Sequence, residues 1–136
     1  PVFEKYILPV YQDRGDRFRA AGKFTHTHFD GNVKQLLQYS HACNVDGFEA
    51  LTPLPQGDLT IQEMQDALGD DLILLDGIPM TAFLPDTPWD EFERVTREII
   101  ETFSPNLILG ISDEPSPVCD IERVRRVSEI VEEYSL

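Results

Sequence analysis

Leu72-Ile-Leu-Leu-Asp-Gly-Ile-Pro79 opens with four apolar residues and no polar alternation. A strand with one wet face alternates, so an unbroken apolar run marks a parallel strand covered on both sides. The run is expected to end at Asp76. Upstream, Thr60-Ile-Gln-Glu63 is a capping box, with Thr60 at the N-cap and Glu63 at N3. The helix it opens carries Ile61, Met64 and Leu68 and stops at Gly69. Downstream, Thr87-Pro88 supplies an N-cap and a Pro at the first helical position. The long helix beyond is expected to bury Phe92, Val95, Ile99 and Phe103, and Pro105 blocks its continuation. A strand flanked by helices in this way belongs to a βαβ chain.

The same alternation extends outward in both directions. Leu107-Ile-Leu-Gly110 reads as a further strand, and Asp120 caps a final helix with Val124, Val127, Val131 and Tyr134 inward. Toward the amino end, residues 46–51 read as a strand. A helix over 32–43 places Val33, Leu36, Leu37, Ser40 and Cys43 on one stripe. A first strand is expected at about 23–27, after a helix over 3–21 that ends at Gly22. In that helix Phe3, Tyr6, Val10 and Phe18 are the expected buried positions, and Pro9 kinks it or starts a second helix. The order is a helix followed by four strand–helix units. A flavodoxin-like sheet and half of a (β/α)₈ barrel share that order, and the spacing does not separate them.

The 136 residues suffice for one domain with its own core, and 41% hydrophobic with 26% charged residues is an ordinary globular balance. The net charge of −14 argues against nucleic acid or an anionic membrane as partner, since both call for clustered Lys and Arg. No apolar run approaches the roughly 18–20 residues of a membrane span. Cys43 and Cys119 do not make a disulfide scaffold, so a reducing, cytoplasmic setting is the expectation. The sequence begins at Pro1 rather than Met, which suggests a processed piece or part of something longer.

In both candidate architectures function gathers at the carboxyl ends of the strands. Each strand here ends in polar groups suited to chemistry. The first, in Phe24-Thr-His-Thr-His-Phe-Asp-Gly-Asn32, offers His26, His28 and Asp30; the second offers Glu49, the third Asp76, and the fourth Asp113 and Glu114. His26 and His28 fall on the same face of an extended segment, and paired neutral imidazoles can grip one metal ion. Glu49 interrupts the apolar Gly47-Phe-Glu-Ala-Leu51, where a carboxylate without a partner costs several kcal/mol. Blander readings stand beside these. A strand His can be a hydrogen-bonded structural residue, Asp30-Gly31-Asn32 can be a turn with a helix cap, Asp76-Gly77 a plain turn, and Asp58 ordinary loop chemistry. His41 is expected on the surface.

Taken in order, Gly22-Lys23, His26-Thr-His-Phe-Asp-Gly-Asn32, Val45-Asp-Gly-Phe-Glu49, Pro55-Gln-Gly-Asp58, Leu68-Gly-Asp70, Asp76-Gly-Ile78 and Leu107-Ile-Leu-Gly110 resemble the C-terminal half of the uroporphyrinogen decarboxylase superfamily. That group includes tetrapyrrole decarboxylases (lyases of porphyrin biosynthesis), methylcobamide-dependent methyltransferases and, more distantly, cobalamin-independent methionine synthases. The resemblance runs from about residue 3 to 134. It implies an α/β fold that is half of a TIM (β/α)₈ barrel, residues 1–136 forming one domain with strands five to eight.

The methyltransferases hold zinc with His-x-Cys after the fifth strand and Cys after the eighth, and the methionine synthases add a Glu. By resemblance those positions fall on His26, His28, Glu49 and Asp113 or Glu114. Thiolates are thus replaced by imidazole and carboxylate, which leaves zinc in play and admits iron, manganese or cobalt. Asp30 and Asp76 then become the catalytic acid–base candidates, and Asn32 and Asp58 the substrate-binding ones. The implied activity is metal-dependent methyl transfer between a corrinoid, or a similar donor, and a thiol or hydroxyl acceptor. The alternatives are metal-free decarboxylation of a porphyrinogen and a non-catalytic half barrel completed by a partner. Implied partners are a small-molecule substrate, a corrinoid protein, and either a missing N-terminal half or a second copy.

Overall fold

The computed structural model describes residues 1–134. Four parallel strands form one sheet in sequence order: β1 (His26–His28), β2 (Gly47–Glu49), β3 (Ile73–Pro79) and β4 (Leu107–Ser112). The helices are α1 (Leu8–Ala20), α2 (Ile61–Leu68), α3 (Trp89–Phe103) and α4 (Ile121–Glu133), with a π-helical turn at Phe3–Ile7. A parallel sheet whose neighbours are consecutive strands, with helices on one side, is a half-barrel-like α/β fold.

Register fixes which side chains share a face. Thr27, Phe48, Leu74 and Leu107 form one row across the sheet, and His28, Glu49, Leu75 and Ile108 form the next. The first row points to the helices, where Phe48 and Leu74 are fully buried with Met64, Leu68, Phe92 and Ile99. Burying one such side chain contributes about 1.5–3 kcal/mol. No helix covers the second row among the described residues, and Ile108 is 58% exposed. In a complete barrel this face would be the interior.

The α2 and α3 segments follow their sequence signals closely. Both halves of the Thr60–Glu63 capping box form, Gly69 terminates α2 at φ 62°, and Phe92, Val95, Ile99 and Phe103 are buried. Thr87 differs from expectation: its hydroxyl donates to the Thr81 carbonyl at 2.8 Å, and Pro88 occupies the N-cap without a side-chain cap. Asp120 does cap α4, accepting from the Glu122 N–H at 3.0 Å.

Four expectations are corrected. The helix over 32–43 is instead two 3₁₀ turns, Leu37–Tyr39 and His41–Cys43. Val33, Leu37, Ser40 and Cys43 of its stripe are buried and Leu36 is half-buried; the Asp58 carboxylate accepts from the Val33 and Lys34 N–H groups, and Ser40 Oγ donates to the Ala67 carbonyl. In the first helix Tyr6, Val10 and Phe18 are exposed; α1 packs beside β1, the edge strand of the sheet, and leaves these side chains uncovered among the described residues. In α4, Val124 and Val131 are exposed, while Arg123 and Ile130 are buried. Finally, β3 does not end at Asp76 but runs on to Pro79. Asp76 and Gly77 take φ of 73° and 89° within the strand, which breaks its alternation without breaking its pairing to β4.

Candidate functional site

Alternation along β1 sends His26 and His28 to the open face and Thr27 between them into the core. The Thr27 hydroxyl is bonded to Tyr11 Oη at 2.8 Å, which ties the strand to α1. Glu49 is the register partner of His28 on β2. Its Oε2 lies 3.3 Å from His26 Nε2 and 3.4 Å from His28 Nδ1. One carboxylate oxygen therefore serves two imidazoles, each about half exposed.

Asp76 belongs to the same neighbourhood. Burial raises its pKa above the ordinary value, the nearby Glu49 charge raises it further, and His28 and His26 oppose that shift. Its carboxylate occupies space that only glycine leaves free: a Cβ on Gly110 would lie 2.5 Å from Asp76 Oδ1. The left-handed backbone at Asp76 and the missing side chain at Gly110 together place this acid at the mouth. Ala50, Asp76 and Asp113, all non-glycine residues with φ of 63–73°, sit at or just after the ends of β2, within β3 and after β4. Unfavourable backbone held in place at strand ends is a common property of binding sites.

The other expected site residues fall elsewhere. Asp30 and Asn32 are exposed beyond β1, with no side-chain hydrogen bond to the imidazoles among the described residues. Asp58 is occupied structurally, accepting from the Val33 and Lys34 N–H groups at 3.0 and 3.1 Å. Asp113 and Glu114 follow β4, three strands across from β1, and the Asp113 carboxylate accepts from the Glu114 N–H at 2.7 Å. No ion pair joins either acid to His26 or His28 among the described residues.

Two connections escaped the sequence reading. Ser112 Oγ is buried, accepts from the Gly77 N–H at 2.8 Å and reaches the Leu51 carbonyl at 3.5 Å, so one hydroxyl ties the ends of β2, β3 and β4 together. Gln56 Oε1 accepts from the Thr81 N–H at 3.2 Å, linking the loops after β2 and β3. A small polar residue closing an apolar strand, as Ser112 does, was the available signal.

Two imidazoles and one carboxylate make the donor set of three-ligand catalytic zinc centres, and the same set serves iron(II). Donors about 2.0–2.1 Å from one tetrahedral ion lie about 3.3–3.4 Å apart. Both nitrogen–oxygen separations here have that value. The described residues nonetheless contain no group of three or more His, Cys, Asp or Glu arranged as a complete metal site. The donor types are those a divalent ion takes, and the same separations serve a carboxylate shared by two imidazoles.

No family model and no curated protein matches this sequence. Among solved structures, a methyltransferase from Methanosarcina mazei is similar, with a TM-score of 0.74, 18% identity and 96% of this chain covered. The chain spans 36% of that methyltransferase's length. At this identity the likeness establishes the fold. No helix among the described residues is long and apolar enough to cross a membrane.

Proposed function

We propose that this chain is the C-terminal half of a uroporphyrinogen decarboxylase-like barrel and serves metal-dependent methyl transfer. The supporting observation is the convergence of His26 Nε2 and His28 Nδ1 on the same Glu49 oxygen. The name of the structural neighbour and the order of the sequence motifs favour the same branch. His26, His28 and Glu49 would hold a divalent ion, zinc in first place, with iron, manganese or cobalt as alternatives. When bound, the ion supplies a Lewis acid that lowers the pKa of a thiol or hydroxyl acceptor.

The chain's own groups have separate tasks in this reading. Glu49, half-buried between the two imidazoles, would be the carboxylate of the ligand set, with His26 Nε2 and His28 Nδ1 as its nitrogens. Asp76, with its raised pKa and its place beside Glu49, accepts the proton the acceptor releases. The apolar row of Leu75 and Ile108 forms a dry floor for the methyl carrier. In the transfer the acceptor's electron pair forms the new bond to carbon. A methyl corrinoid, as the donor, would supply the methyl group and keep the bonding electron pair.

The test is transfer from methylcobalamin to a thiol by the protein together with whatever completes the barrel, followed by the corrinoid's visible spectrum. Loss of the methylcobalamin bands, dependent on His26 and His28, is the expected result. Unchanged spectra in the presence of bound metal would refute methyl transfer.

A further inference from the structure

One buried hydroxyl stands behind both acids of the mouth. Strand alternation puts Ser112 on the same face of β4 as Ile108 and Gly110, the face that carries Glu49 in its row. Ser112 is fully buried. Its Oγ accepts from the Gly77 N–H at 2.8 Å and donates to the Leu51 carbonyl in a longer bond of 3.5 Å. The hydroxyl thus acts as acceptor toward β3 and as donor toward the end of β2.

Both backbone groups it holds lie beside a working acid. Gly77 follows Asp76, and its N–H belongs to the peptide that sets the Asp76 ψ angle. Leu51 follows Glu49 with only Ala50 between them. Ala50 takes φ 63°, Asp76 takes φ 73°, and Asp113, directly after Ser112, takes φ 70°. Each of these left-handed residues is therefore chain neighbour to one member of the Gly77–Ser112–Leu51 bridge. A non-glycine residue stays in that conformation only where its surroundings over-determine it. Gly110 leaves the space in which the Asp76 carboxylate stands, since a Cβ there would lie 2.5 Å from Oδ1. Free space admits a carboxylate without aiming it; a fixed main chain aims it.

We infer that Ser112 is a positioning residue of the candidate site: its hydroxyl locks the main chain after Glu49 and after Asp76, and so directs both carboxylates to the mouth. The inference rests on the reading of Glu49 and Asp76 as working groups of that mouth. In this role Ser112 needs no contact with ion or acceptor, because it acts through the backbone that carries the two acids.

Ser112→Ala and Ser112→Thr test this, with circular dichroism checking the fold of each. In the metal-free protein at neutral pH, the side-chain carboxyl carbon signals of Glu49 and Asp76, assigned with Glu49→Gln and Asp76→Asn, report the surroundings of each acid. Ser112→Ala is expected to move both signals and leave those of Glu63 and Glu93 in place. Ser112→Thr keeps a hydroxyl and should leave all four near their parent positions. In calorimetric zinc titration, Ser112→Ala is expected to bind about tenfold or more weakly, and Ser112→Thr close to the parent. Where Ser112→Ala fails to fold, Ser112→Cys, a weaker hydrogen-bonding group, replaces it with the same expectation. Unmoved Glu49 and Asp76 signals would overturn the inference, as would a shift shared by Glu63 and Glu93, which marks general loosening. Equal zinc affinity in parent and Ser112→Ala would overturn it too. If the parent itself binds no zinc, the metal reading falls and the carboxyl signals alone judge Ser112.

Discussion

His28 and Glu49 are partners in the β1–β2 register, and the sheet itself holds Oε2 3.4 Å from Nδ1. Glu49 shares its row with Leu75 and Ile108, so a carboxylate stands where a leucine would pack better. Glu49→Leu is therefore expected to stabilise the metal-free protein by about 1 kcal/mol or more in urea unfolding, since apolar replacement of a half-buried ionic group commonly does so. The same variant should lose metal affinity. A clear loss of stability would mean that Glu49 serves the fold rather than the site.

Asp58 holds a loop. Its carboxylate satisfies two backbone N–H groups at the start of the irregular 33–43 segment. Asp58→Ala should cost about 1–3 kcal/mol and speed amide exchange at Val33 and Lys34. Unchanged exchange at those two amides would contradict this assignment.

Arg123 is buried, and no carboxylate pairs with it among the described residues. Nη1 donates to the Ala82 carbonyl at 2.8 Å and Nη2 to the Thr87 carbonyl, while the guanidinium carbon lies 4.7 Å from the Trp89 ring centre and 5.2 Å from that of Phe92. It clamps the loop that follows β3. Arg123→Met should destabilise the fold by about 1–3 kcal/mol, by leaving carbonyls unpaired, and alter the emission of Trp89, the chain's single Trp. Lys should rescue only in part, because it lacks the planar fork. An unchanged emission spectrum would contradict the clamp.

The side-chain bond from Lys34, followed by the backbone N–H of Thr60, lowers the Glu63 pKa from 4.5 to about 2. A lowered folded-state pKa gives stability that is present above the unfolded value of 4.5 and is lost as pH falls toward about 2. Glu63→Gln should thus be less stable than the parent near neutrality, with the difference closing across that acid range. A difference that is constant with pH would show that the charge is irrelevant.

What could be read from the residues was what depends on local chemistry. Thr60–Glu63 and Gly69 bound α2 because capping is decided within a few residues. The His-x-His spacing and the intrusive Glu49 pointed to one mouth because strand alternation is strict. Long-range relations were not legible. The Asp58 carboxylate meeting the Val33 N–H 25 residues upstream has no local mark, nor does Gly110 making room for Asp76 across a strand pair. The exposed Val10 and Phe18 look like core in sequence because an apolar stripe does not reveal whether its cover lies in the same chain.

The central claim is that His26, His28 and Glu49 bind one divalent ion, and calorimetric titration of the chelator-stripped protein with zinc tests it most directly. One ion per chain is expected, with His26→Ala and His28→Ala each abolishing that binding while circular dichroism stays unchanged. Absence of stoichiometric binding by the parent protein, or full binding retained by both variants, would contradict it.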